Sequence, residues 1–139
     1  MGHSVPIIDG IEQGAGRKYH ATVLEASDAR FSMEIQEAYE TDISKIVRTF
    51  DMQEEGITMT DEYATVEGHE IIERFISVIE PEIDGECVRI GDAVLYANTL
   101  PNITKDAVNN KKRIPEPLWL IDYPVTEKTF TIRVKVEGK

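Results

Sequence analysis

The 139-residue chain has one cysteine, Cys87, one tryptophan, Trp119, and only 5 leucines and 9 alanines. A lone cysteine excludes an internal disulfide framework and an all-cysteine zinc site. No apolar run approaches the roughly 18 residues that a membrane-spanning helix requires. The opening MGHSVPIIDG lacks the basic start and long apolar run of a secretory signal. Pro6 stands where an N-myristoylation motif wants Ser or Thr. Basic charge is also scarce: 15 Lys and Arg face 26 Asp and Glu, a net charge of -11. That balance argues against non-specific nucleic-acid binding and against a polybasic membrane attachment, and it repels polyanions at long range. The scarcity of Leu and Ala removes the residues that propagate helices most readily.

What is abundant is β-branched: 17 Ile, 11 Val and 11 Thr. Such side chains lose rotamer freedom in a helix and pack well on a pleated surface. The patterning agrees. Phe130 to Val136 alternates strictly, with Phe130, Ile132, Val134 and Val136 on one face and Thr131, Arg133 and Lys135 on the other. Ile43 to Met52 and the strand from Ile57 read as a hairpin around Gln53-Glu54-Glu55-Gly56. Tyr19 to Ala26 pairs with Phe31 to Tyr39, and Val88 to Ile90 turns at Gly91-Asp92 into Ala93 to Ala97. Ile71 to Ile83 should break at Pro81, and Leu118 to Tyr123 is bracketed by Pro117 and Pro124. Segments 26–36 and 105–112 read as non-helical. Pro101 to Pro117, with its Lys111-Lys112-Arg113 run, reads as a solvated loop. The expectation is a single all-β domain over residues 1–139, an antiparallel sandwich of about ten short strands.

Chemistry is thinner. His3, His20 and His69 do not pair at metal-ligand spacing. His20 reads as a surface strand residue, His69 as a solvent-exposed turn residue and Cys87 as a small buried filler. There is no serine nucleophile elbow, and the Gly10, Gly14 and Gly16 cluster has no strand-to-helix transition that would cradle phosphate. Carboxylate pairs such as Glu54-Glu55 and Asp61-Glu62 read as wet-face residues of an acidic chain. Trp119 and Tyr19, Tyr39, Tyr63, Tyr96 and Tyr123 fit either sugar-stacking platforms or core aromatics.

The string His3-Ser4-Val5-Pro6-Ile7-Ile8-Asp9-Gly10, with Gln13 after it, resembles a segment of the heparinase II/III-like polysaccharide lyases. Arg30-Phe31-Ser32-Met33-Glu34, Val47-Arg48-Thr49-Phe50 before Ile57 to Tyr63, Glu73-Arg74-Phe75 and Leu118 to Tyr123 resemble later strands of that family in order and spacing. The resemblance implies the C-terminal β-sandwich region of a longer enzyme. The N-terminal (α/α) toroid of that enzyme carries most of the catalytic groups for β-elimination on uronic-acid glycans. Neither the toroid nor the family's H-x-H stretch is in this sequence, so no catalytic residue is assigned. The resemblance makes His3 a zinc ligand of the full-length protein, its partners lying upstream. The isolated chain is expected to hold no cofactor and to be inactive alone, with acidic polysaccharide bound only through the full-length protein. Two further readings stay open: a free-standing carbohydrate-binding sandwich, and a structural domain that self-associates into a homo-oligomer through an exposed edge or apolar patch.

Overall fold

The computed structural model describes residues 4–106 and 118–137. Along the chain run β1 (Pro6–Ile8), β2 (Thr22–Ala26), β3 (Arg30–Glu34), β4 (Ile46–Gln53), β5 (Gly56–Tyr63) and β6 (Ile71–Ser77). There follow β7 (Glu82–Asp84), β8 (Cys87–Ile90), β9 (Ala93–Ala97), β10 (Asn102–Asp106), β11 (Leu118–Val125) and β12 (Thr129–Val136). They form an all-β sandwich of two antiparallel sheets, four strands in the order β1-β6-β11-β10 and eight in the order β2-β3-β4-β5-β12-β9-β8-β7.

Alternation decides what faces inward. On β12, Phe130 and Ile132 are buried between Arg133 and other exposed neighbours. They pair with Asp61 and Met59 of β5. On β11, Ile121 and Tyr123 point into the core and lie opposite Phe75 and Glu73 of β6. Tyr123 packs edge-on against Phe75, centroids 5.9 Å apart, and against Phe130 of the other sheet at 5.6 Å. These rings join the sheets through the apolar centre, the main source of stability in such a fold.

The differences from the sequence reading have local causes. The β4–β5 loop is only Glu54-Glu55, because Gln53 and Gly56 still pair. A Cβ on Gly56 would lie 2.0 Å from the Val134 carbonyl oxygen, so only glycine lets β5 start against β12. Pro124, expected to end its strand, lies inside β11. It pairs with Ile72 of β6, while pairing with β10 stops at Asp122, so no ladder bond on that side is lost. Asn102 to Asp106, expected as loop, is β10: its Ile103 pairs with Ile121 and packs against the core. Pro6–Ile8 is a strand because Ile8 is buried beside Ile71. Within 26–36 there is no α-helix: the β2–β3 hairpin fills it, followed by a 3-10 turn over Gln36–Ala38. The Lys111-Lys112-Arg113 run lies outside the described residues.

Candidate functional site

Two polar constellations stand out, one inside the sandwich and one at its end. The inner one starts from register. Arg48 and Asp61 are direct partners on β4 and β5 and share the inward face with Ile46, Phe50, Met59 and Tyr63. Arg48 donates to Asp61 twice, Nε to Oδ1 at 2.8 Å and Nη2 to Oδ2 at 2.6 Å, and to Glu73 Oε2 at 3.1 Å. Glu73 stands on β6, in the other sheet, and also accepts from the Tyr63 hydroxyl. Asp61 and Glu73 are both 0% exposed. The cluster therefore ties the sheets together with one cation facing two carboxyls.

Electrostatics follows from that count. Burial first, then the neighbouring Asp61 charge, pushes the Glu73 carboxyl well above the usual carboxylate range. Glu73 therefore keeps its proton to higher pH than an ordinary carboxyl, and the guanidinium makes its bidentate pair with Asp61. Burial works against the Arg48 charge, but the hydrogen bonds to Asp61 and the two carboxyls more than offset it, so its pKa is raised. Burial likewise drives the Tyr63 and Tyr39 phenols upward. These groups are saturated by one another inside the core. The arrangement suits a polar tether between sheets.

The outer constellation uses the segment that carries the family resemblance. Asp9 and Gly10 adopt left-handed backbone (φ 52° and 77°) and turn the chain back, so that Ile8 and Ile11 bridge. The Asp9 carboxylate accepts from the Glu70 amide at 2.9 Å and from His69 Nδ1 at 2.7 Å. His69 Nε2 meets Asp42 Oδ1 at 2.9 Å. One imidazole thus fastens the end of β1, the loop before β4 and the start of β6. The Asp9 hydrogen bond raises the His69 pKa, and the His69 hydrogen bond lowers that of Asp9. On the same segment, the Pro6 carbonyl accepts from the Tyr39 hydroxyl at 2.8 Å. The Ile76 amide donates to Ser4 Oγ at 3.1 Å.

The other candidates fall as follows. His3 lies outside the described residues. His20 is exposed ahead of β2 rather than within a strand. His69 is not free in solvent: its side chain is 12% exposed between two aspartates. Cys87 is half-buried and its thiol donates to the Asp84 carbonyl at 3.0 Å across the β7–β8 turn, so it is not core filler. Asp61 is not a wet-face carboxylate. Tyr39, Tyr63 and Tyr123 are core residues, while Tyr19 and Tyr96 hydrogen-bond the surface carboxylates Glu40 and Glu137. Trp119 is half-buried, with Lys105 Nζ 5.4 Å from its ring centre. Among the described residues no group of three or more His, Cys, Asp or Glu side chains is arranged to hold a metal ion. The sequence reading missed the Arg48–Asp61–Glu73 cluster, although a signal existed: Arg48 sits between Ile46 and Phe50, and Asp61 between Met59 and Tyr63, at inward-facing positions.

Fold and constellations together define a β-sandwich module with a polar tether in its core. No protein-family model matches the chain, and no curated protein matches it.

Proposed function

We propose that this β-sandwich is a non-catalytic module of a heparinase II/III-like polysaccharide lyase, whose elimination chemistry on uronic-acid glycans resides in other parts of the polypeptide. The observation that carries the reading is the use made of the segment from Ser4 to Gln13, which contains most of the string that resembles the lyases. Its Asp9-Gly10 turn is held by His69 and the Glu70 amide, and its Pro6 carbonyl by Tyr39. The spacing of Pro, Asp and Gly thus has a structural reason: it seats an edge strand on the small sheet. His3, just upstream, is then the position through which a zinc site shared with upstream residues would be completed.

The elimination needs a group that neutralises the uronate carboxylate, a base for the C5 proton and an acid for the leaving oxygen. An acidic scaffold fits the outside of such a cleft better than its lining, because it repels the polyanion. The test is an absorbance assay for unsaturated uronate on heparan sulfate and alginate, run with this chain and with the polypeptide extended to its natural upstream start. Product from the extended protein alone is the expected result. Turnover by the 139-residue chain, or none from an extended protein that includes an upstream helical region, overturns the reading.

A further inference from the structure

We propose that the uncovered end of the eight-stranded sheet's inner face is a docking surface for a basic amphipathic helix of a protein partner. The proposal stands on the surface itself and not on the lyase reading. The two-residue alternation that buries Met59 and Ile132 and half-buries Phe50 continues past them. Met52 follows Phe50 on the same face, Ile57 pairs with Met52, and Val136 follows Val134 on β12. The four-stranded sheet does not cover these positions: Met52 is 54% exposed, Ile57 37% and Val136 68%. Phe31 of β3, paired with Phe50, extends the apolar strip at 36% exposed. Single exposed apolar residues are ordinary, but four on one face, continuous with the core, form a patch of the kind that marks interaction sites.

The surface has shape and charge as well as apolarity. Met52, Ile57 and Val136 floor an open groove of about 880 Å³ whose rim carries Glu54, Glu55 and Glu137. The three strands beneath it, β4, β5 and β12, span roughly 10 Å from first to last, which matches the roughly 10–12 Å diameter of one helix with its side chains. Among the described residues lining the groove there are three glutamates and one lysine, Lys135, which pairs with Glu55 at 3.1 Å. Glu137 pairs with Arg89 at 3.2 Å. Each pair has a solvent-exposed glutamate, and ion pairs open to water exchange partners at little cost. The complementary occupant has an apolar stripe at helical spacing flanked by Lys or Arg. A second copy of this chain fits poorly. It would bring its own charge of -11 and, in a two-fold contact, set the same glutamate rim against itself.

The test uses a Leu/Lys peptide of about 18 residues with its leucines on one helical face. A scrambled peptide of identical composition and a Leu/Glu peptide with the same stripe serve as comparisons, all at physiological salt. Binding is read from the isotope-labelled methionine methyl groups of this chain. The striped basic peptide is expected to shift Met52 and leave buried Met59 in place, and to bind at least ~10-fold more tightly than either comparison. Met52→Lys and Val136→Lys, both at exposed positions, take away the apolar floor and add charge of the peptide's own sign, and should each weaken it by about 10-fold. Equal binding of the scrambled peptide, an unmoved Met52 methyl, or unchanged affinity in both variants overturns the proposal. So does a concentration-dependent dimer that Met52→Glu dissolves while the striped peptide fails to bind, since the occupant would then be a second copy.

Discussion

Replacing Glu73 by Gln tests the buried tether most sharply, because the neutral amide copies the protonated carboxyl in size and hydrogen bonding. The Gln carbonyl accepts from Tyr63 as Glu73 Oε1 does, while its N–H₂ takes the place of Oε2 beside Arg48 and Asp61. The bidentate Arg48–Asp61 pair is untouched, one charge against one. The sign follows from the proton count. Below the ordinary carboxyl value of 4.5, Glu73 is neutral in both folded and unfolded chains. Above it the unfolded chain releases the proton while the folded chain keeps it. The stability that Glu73 contributes is therefore fully present in acid. It is lost as pH rises toward the raised folded value, at about 1.4 kcal/mol per pH unit. Gln carries no such proton.

Glu73→Gln should therefore cost about 1 kcal/mol in mild acid, from the imperfect contact with Arg48. It should then gain on the parent by about 1.4 kcal/mol for each pH unit and overtake it before neutrality. Arg48→Met is the contrast: it leaves two buried carboxyls without a cation and should cost about 3–5 kcal/mol. Urea unfolding at a series of pH values, followed by Trp119 fluorescence, yields both numbers. Parallel stability curves for the parent and Glu73→Gln would refute the proton count, as would a Gln variant as damaged as Arg48→Met at neutral pH.

Three further outcomes follow from particular atoms. Among the described residues the buried Tyr123 hydroxyl has no hydrogen-bond partner, and burial raises its pKa. Tyr123→Phe keeps the ring contacts and should leave stability unchanged or raise it by about 1 kcal/mol in thermal unfolding; a loss of that size would mean the hydroxyl is satisfied. Gly56→Ala drives a Cβ into the Val134 carbonyl and should cost about 1–3 kcal/mol as β12 is pushed aside, with amide exchange faster on β12 than on β3. In an NMR titration the His69 imidazole should lose its proton above the ordinary 6.5, so its clamp is fully present below that value and lost as pH rises through the raised one. Asp9→Asn should bring the titration back toward 6.5, and a midpoint indifferent to that change would remove Asp9 as the cause.

Legibility in the sequence depended on whether a residue's local pattern agreed with its tertiary place. The strand from Phe130 to Val136 declares itself because Phe130, Ile132 and Val134 turn to the core while Arg133 turns to solvent, and the alternation departs from burial only at its end, where Val136 is exposed. β10 did not, because Asn102, Thr104 and Lys105 are polar and its membership rests on Ile103 reaching Ile121 across sequence-distant pairing. Pro124 misled for a related reason: whether a proline ends a strand depends on which neighbour has already stopped pairing, and that is not a local property. The tether is the instructive case. Arg48 and Asp61 occupy inward positions by simple counting, yet each taken alone looks like a surface charge, since an isolated buried ion is prohibitive. What makes them tolerable is each other, through the bidentate pair, and Glu73, which follows them in sequence, adds a further hydrogen bond from the opposite sheet. A polar residue breaking an apolar face is therefore a question about partners. Two such breaks opposite one another, of opposite sign and in one hairpin, already contain most of the answer. The raised pKa of Glu73 is the remainder, because only the closed sandwich sets two carboxyls against one guanidinium out of reach of water.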